Sequence, residues 1–427
     1  MDELKIAIAG LGTVGGGTVK LLHQHADLLT ARTGRRLHLV AAAALEKPAD
    51  LPLDGVSFFT DARAMARDAD YDVLIELIGG ANGVALDVVT AALGRGRHVV
   101  TANKAMVAHH GLKLAEQAEA AGVTFGYEAA VAGGIPVIKA LREGLAANQL
   151  NQVYGILNGT CNYILTTMRE SGREFSDVLA EAQALGYAEA DPSFDIDGID
   201  TAHKLTILTS LAFGTAVDFD KVHIEGIRHV SALDIRSAEE LGYRIKLLGI
   251  ARRTDAGIEQ RVHPCMVPIS SSIGCIEGVF NAVVAEGDFV GRTLFEGRGA
   301  GATPTASAVV ADVLDIAAGR RTPTFGIPAT ALAPLQTAPM DNHHGAFYIR
   351  LMVRDRPGVF AGIAAALRDA EVSMESILQR GRAPGETVPV VMTVHDTRER
   401  AMRKALERIR AIAEVVDPPH LIRIEAF

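Results

Sequence analysis

The sequence predicts an α/β protein of several domains. Three patterns predict it: short apolar runs alternating with helical stretches, a mixed middle region, and a closing strand–helix–strand–strand–helix–strand order. At 427 residues and roughly 100–200 residues per domain, two to four domains fit.

The first stretch, residues 1–134, opens with the apolar strand Ile6–Ala9. From Thr18 to Leu29, the residues Val19, Leu22, Ala26 and Leu29 share one helical face. Further strands follow at Leu37–Leu45, Tyr71–Ile78, His98–Thr101 and Val123–Gly126. Continuous apolar strands separated by helices predict a doubly wound parallel sheet covered on both faces. The middle stretch, 135–335, carries a helix at Ala202–Phe213 and strands at Lys246–Ala251 and Val279–Glu286. Gly-rich 297–302 follows, then a helical segment around 303–335 that is expected to return to the first domain. Pro and Gly cluster at 319–346 and mark a linker. Beyond it, 346–427 restarts with alternating Phe347, Ile349, Leu351 and Val353, then helix Val359–Asp369, strands Ser373–Gln379 and Val388–Val394, helix Arg398–Ala413 and strand Leu421–Ile424. That βαββαβ order is a ferredoxin-like unit.

Composition excludes several classes. Hydrophobic residues make up 48% and charged residues 22%, as in an ordinary globular chain. A net charge of −9, no Trp and only 5% aromatics argue against a nucleic-acid partner. No apolar run is long enough for a membrane span, and Met1–Lys5 lacks a signal-peptide pattern. The three cysteines, Cys161, Cys265 and Cys275, lack zinc-site spacing and predict a reducing compartment, the cytoplasm.

Gly10-Leu11-Gly12-Thr13-Val14-Gly15 follows the first strand and opens the first helix. In that context the motif marks a Rossmann-type dinucleotide site. The first Gly permits the turn, the second admits a pyrophosphate, and the third lets helix and strand pack closely. The free N–H groups of Thr13 and Val14 at the helix start suit the phosphates. The alternative is a Gly-rich turn with no ligand. The second strand ends in Ala43-Ala44-Leu45-Glu46-Lys47, where neither an acidic residue for NAD nor an Arg for NADP dominates.

The densest polar segment, Gly186 to Lys204, holds Glu189, Asp191, Asp195, Asp197 and Asp200 ahead of an apolar helix. Asp200 and Lys204 are four apart and share a face. A lysine at the mouth of a buried helix can serve as an acid, and nearby carboxylates can bind an ammonium group. A surface salt bridge with a helix cap is the plainer alternative. Lys104, in Thr101-Ala102-Asn103-Lys104, lies at the C-terminal end of a parallel strand, the ligand edge of open α/β sheets. It reads equally as a solvated loop lysine. Gly126–Pro136 is a Gly-rich turn whose carbonyls can take a hard monovalent ion or merely connect domains. Asn158-Gly159-Thr160 offers amides and a hydroxyl to a carboxylate, or is a plain turn.

In this order the pieces resemble homoserine dehydrogenase over nearly the whole chain, and Asp355–Phe360 resembles the signature of an ACT domain. The resemblance implies reversible reduction of L-aspartate 4-semialdehyde to L-homoserine with NADP or NAD, in threonine, methionine and isoleucine biosynthesis. It implies Lys204 as proton donor and Lys104 beside the reacting group and cofactor. Glu189, Asp195, Asp200, Gly159 and Thr160 would hold the substrate. Gly10, Gly12, Thr13, Val14, Gly15, Thr101, Lys104, Gly186 and Gly301 would meet the cofactor. Glu128, Val131, Gly133 and Ile135 match a sodium loop, mostly through carbonyls. Where relatives that use NADP carry a basic residue, this chain has Ala43. The resemblance further implies a homodimer or homotetramer and L-threonine as effector of the ACT unit. Two other functions compete: a semialdehyde dehydrogenase using a Cys161 thiohemiacetal, and a non-catalytic amino-acid sensor on a dinucleotide fold.

Overall fold

The protein is described here as a computed structural model covering residues 2–379 and 385–427. Its first sheet contains β1 (Glu3–Ala9), β2 (Arg36–Ala43), β3 (Ser57–Phe59), β4 (Val73–Glu76), β5 (His98–Thr101) and β6 (Phe125–Gly126). The order is β3-β2-β1-β4-β5-β6 and every pairing is parallel. The continuous apolar run of β1 has a direct cause. Ile6 and Ile8 face one buried layer, while Ala7 and Ala9 face the other. Helix α1 (Thr13–Gln24) follows β1, and α2 (Lys104–Ala120) follows β5.

The chain next builds β7 (Leu150–Ile156), α3 (Gly159–Ser171) and α4 (Ile199–Phe213), then β8 (His223–Ile224), β9 (Tyr243–Thr254), β10 (Gly257–Pro268), β11 (Phe280–Gly287) and β12 (Gly291–Arg298). Helix α5 (Ala302–Ala317) then crosses back: Val309 and Val313 pack with Ile6 and Ile8 under the first sheet. The return to the first domain is therefore made, but by a shorter helix than the 303–335 segment expected from sequence. Gly319 adopts φ +71° just past the last turn, and Pro323 and Pro328 cannot continue a helix. Residues 318–335 run as turns with one short 3₁₀ segment at Ala329–Ala331.

The final unit is β13 (His344–Arg354), α6 (Val359–Arg368), β14 (Met374–Gln379), β15 (Thr387–Arg398), α7 (Glu399–Arg410) and β16 (His420–Ile424). Its four strands are antiparallel in the order β16-β13-β15-β14. Phe347, Ile349, Val390 and Met392 on the sheet pack with Met402 and Ile409 on α7 in a separate core. The strands of the middle and last units nevertheless form one sheet. β16 pairs in parallel with β10 at Cys265↔Arg423 and Met266↔Ile424, giving the order β12-β11-β7-β9-β10-β16-β13-β15-β14, with β8 also on β10.

A buried ionic network closes that seam. Arg423 donates to Glu225 at 2.9 Å and to Glu399 at 2.7 Å. Arg261 on β10 pairs with Glu259 and with Glu425. The side chains of Arg423 and Glu399 are only 3% and 1% exposed, so neither charge is tolerable alone. Among the described residues no helix is long and apolar enough to cross a membrane. Replacing Arg423 with Met is expected to leave Glu399 buried without its main partner and to cost about 3–5 kcal/mol. Urea unfolding measures this; an unchanged midpoint and slope would show that the seam does not depend on the network.

Candidate active site

The strand ends at the C-terminal edge of the first sheet position one lysine. Thr101, at the tip of β5, donates its hydroxyl to Glu76 at 2.6 Å and accepts from the amide of Asn103 at 2.9 Å. Glu76 also accepts from the amides of Ile78 and Gly79. Asn103 caps α2 by accepting from the amide of Met106. Lys104 is thereby fixed as the first residue of α2. The hydroxyl of Thr101 is engaged in this internal network.

The second lysine comes from α4. Gly198 precedes that helix with φ +86°, a conformation an L side chain rarely adopts. One turn on, Asp200 and Lys204 pair at 2.7 Å. The ammonium of Lys204 also donates to the carbonyl of Leu157 at 2.6 Å. Lys104 meets the other oxygen of Asp200 at 2.8 Å. Asn158, the cap of α3, donates to both Asp195 and Asp200 at 2.8 Å while accepting from the amide of Cys161. One buried carboxylate thus holds two ammonium groups from two domains.

The electrostatics follow. Burial pushes the Lys204 ammonium below its usual range, and Lys104 adds to this while Asp200 opposes it. For Lys104 burial also lowers the pKa, but Asp200, with help from Asp195 and Glu189, outweighs it and the net shift is upward. Burial would raise Asp200; the two lysines overcome that and hold it well below the carboxylate range. Asp195 is raised by burial and by Asp200. Phe194 lies 5.5 Å from the Lys104 ammonium. His203 stacks on Phe219 and meets His109 at 3.2 Å; burial pushes it down to about 4, so it is neutral behind the lysines.

A cavity of about 420 Å³ opens over this centre, lined by Lys104, Lys204, Asp195, Thr160, Gly186 and Gly301 among others. Gly159 lines it too, and Thr160 donates its hydroxyl to the carbonyl of Tyr187 at 2.7 Å. Glu189 is exposed and is not among the lining residues, although its charge is felt at Lys104. Asp200 lines the cavity as well, and within the protein its carboxylate meets Lys104, Lys204 and Asn158 as a shared counter-ion. Of the other carboxylates, Asp197 pairs with Arg228 and Asp191 accepts from the amide of Ser193.

The glycine loop passes a fit test for a dinucleotide. Gly10 has φ +100°, and a Cβ there would lie 2.5 Å from the Leu77 carbonyl oxygen. A Cβ on Gly15 would lie 2.0 Å from the Gly10 carbonyl oxygen, so helix and strand could not close. A Cβ on Gly12 would meet nothing within 4 Å. Bareness at that position therefore serves something outside the protein, as a pyrophosphate would require. Gly12 caps α1 without a side-chain bond, leaving first-turn amides at Thr13 and Val14 for phosphate oxygens. A second cavity of about 490 Å³ is lined by Gly12, Thr13 and Lys20 and by Ala302 and Thr303 at the start of α5. Gly17, which sequence did not single out, lets the helices touch: a Cβ there would lie 2.7 Å from the Ala302 carbonyl oxygen.

The loop after β6 is bent through Ala132 at φ +50°. The Glu128 carboxylate accepts from the amides of Ile138 and Lys139, both at 2.9 Å; burial and Asp312 push it up to about 7. Among the described residues, the carbonyls of Val131 and Gly133 accept no hydrogen bond, and Ile135 donates its amide to Ala132. Cation ligation here would fall to carbonyls rather than to the Glu128 side chain. Cys161 is buried, donates to the Asp195 carbonyl, and has its thiol pushed far up by burial, which opposes the thiohemiacetal alternative.

Asn158, read in sequence as part of a turn that could face a carboxylate or be a plain turn, is the hub that joins α3 to Asp195 and Asp200. Its spacing three residues before Cys161 was the available cap signal. Asn281 and Arg298, also on the cavity wall, carried no signal in sequence.

Fold and site define a nicotinamide-dependent oxidoreductase acting on a CH–OH group, joined to a unit of amino-acid-binding type. Residues 10–128 match the model described as homoserine dehydrogenase, NAD binding domain; 136–314 match homoserine dehydrogenase; 347–414 match the ACT domain. A homoserine dehydrogenase of Neisseria gonorrhoeae is 46% identical over 434 residues, covering 100% of both chains. A crystal structure of a homoserine dehydrogenase from Thiobacillus denitrificans superimposes with a TM-score of 0.94 at 45% identity, covering 100% of this chain and 99% of that one. A hyperthermophilic archaeal homoserine dehydrogenase in complex with NADPH aligns at TM-score 0.63 and 25% identity, covering 73% and 97%. The chain belongs to the homoserine dehydrogenase family, whose reaction interconverts L-aspartate 4-semialdehyde and L-homoserine.

The two glycine positions separate binding from folding. Gly12→Ala is expected to keep thermal stability but weaken nicotinamide binding about tenfold or more, by crowding the phosphate approach. Gly15→Ala is expected to lose at least about 1–3 kcal/mol of stability through overpacking. Fluorescence titration and thermal melts check both; unchanged affinity in Gly12→Ala would remove the phosphate from this loop.

Proposed function

We propose that Lys204 donates the proton to the carbonyl oxygen of L-aspartate 4-semialdehyde and takes it back when L-homoserine is oxidised. The observation that carries this is its bonding. An ammonium has three N–H groups, and those to Asp200 and Leu157 leave one for a substrate oxygen in the cavity. A bound nicotinamide supplies or accepts the hydride. Burial lowers the Lys204 pKa toward the working range, which suits a group that must both give and take a proton. Lys104 adds positive charge beside the oxygen where negative charge develops, and Asp195 completes the polar wall.

Three functional units are part of this reading: 1–134 for the cofactor, 135–335 for substrate and pairing, and 346–427 for regulation. The carbonyls of Glu128, Val131, Gly133 and Ile135 hold a structural sodium ion. The chain works as a homodimer or homotetramer in the cytoplasm; Phe289 and Leu294, exposed at the edge strand β12 and its turn, support pairing. L-threonine acts as effector at the turn before α6, where Gly358 takes φ +93° and leaves α6 without a side-chain cap.

Lys204→Ala is expected to cut turnover about 10²–10⁴-fold with cofactor affinity unchanged, measured as homoserine oxidation with NAD and NADP in parallel. Near-normal turnover with the better cofactor would remove Lys204 from the chemistry. Threonine added to the unaltered enzyme is expected to lower the rate and release or absorb heat on titration; an unchanged rate with no heat rejects feedback control.

A further inference from the structure

The wall of the active-site cavity holds two further polar side chains with no assigned work. Asn281, on β11, is 1% exposed and lines the cavity. Its carboxamide oxygen is buried without a hydrogen-bond partner among the described residues, a state that disfavours the empty site unless a ligand relieves it. Two glycines make room for it. A Cβ on Gly299 would lie 2.1 Å from Asn281 Nδ2, and one on Gly159 would lie 3.5 Å from its Oδ1. The carboxamide therefore sits against the start of α3, where the amides of Gly159 and Thr160 have no acceptor among the described residues. Arg298, the last residue of β12, also lines the cavity. Its guanidinium lies 5.9 Å from the Phe280 ring, and no carboxylate among the described residues pairs with it.

The charge balance of the cavity makes this wall selective. Asp200 engages both lysines internally and offsets one of their two charges. Arg298 is left as a cation facing the same space, beside an unsatisfied acceptor and two free amides. A ligand that answers this wall carries a carboxylate and an ammonium on one carbon. We propose that Arg298 and Asn281 form a clamp for the α-amino-acid end of the substrate: the guanidinium and the α3 amides take the α-carboxylate, and Asn281 Oδ1 accepts from the α-ammonium. The clamp turns the aldehyde or alcohol end toward Lys204. It rests on the dehydrogenase reading of this cavity.

The test compares homoserine with 3-amino-1-propanol, the same alcohol without its carboxylate. In Arg298→Ala the KM for homoserine should rise about 10- to 100-fold, while the dissociation constant of NADPH and the thermal melt stay unchanged. The preference for homoserine over the carboxylate-free alcohol should shrink by a similar factor. Arg298→Lys should fall between, since a point charge replaces a bidentate fork. Asn281→Ala should raise KM about tenfold. Arg298 is exposed, so its variants test the clamp without risk to the core. An unchanged KM and preference in Arg298→Ala overturns the clamp. So does weakened NADPH binding with an intact KM, which would give Arg298 to a cofactor phosphate. Failure of the unaltered enzyme to oxidise homoserine would overturn the dehydrogenase reading itself, and the clamp with it.

Discussion

The active centre depends on one buried carboxylate shared by two ammonium groups. Lys104 and Lys204 would repel each other in the low-dielectric space they occupy, and only Asp200, 2.8 and 2.7 Å from them, makes their juxtaposition tolerable. The three charges come from α2 at the edge of the parallel sheet and from α4 in the substrate unit. The site therefore exists only where the two units meet. It also explains why the two lysines shift in opposite directions: Lys104 is partly open and gains a partner, whereas Lys204 is fully enclosed and bears the cost of burial.

The same economy of contact shapes the cofactor side. Gly15 and Gly17 are bare because the protein's own backbone presses on them, at the Gly10 and Ala302 carbonyls. Gly12 is bare although nothing in the protein presses there. Close helix packing and close ligand approach are thus separate demands met by neighbouring glycines. Helix α5 brings its own N-terminus, at Gly301, to the edge of the substrate cavity while its apolar face lies under β1.

The C-terminal unit is continuous with the catalytic one through β16, which pairs with β10 and whose Arg423 ties the residue after β8, Glu225, to Glu399 on α7. β10 in turn places Val262 against Gly198, the residue that starts α4. A movement of β16 is thus mechanically adjacent to the helix that carries Asp200 and Lys204.

The sequence by itself determined the alternating α/β order, the glycine loop, the βαββαβ tail and the presence of both lysines. Each is written in local periodicity or in a short motif whose residues are neighbours in the chain. Tertiary structure alone decided what those groups do to one another. The four-residue spacing of Asp200 from Lys204 was visible, but its contact with Lys104, nearly a hundred residues away, was not. The bond from the Thr101 hydroxyl to Glu76 was not visible either, because Glu76 lies on another strand. Asn281 and Arg298 gave no local signal, and the merging of two sheets at β10 and β16 gave none either. Partnership, burial and charge compensation are relations between distant segments, and a linear pattern has no term for them until the chain has closed.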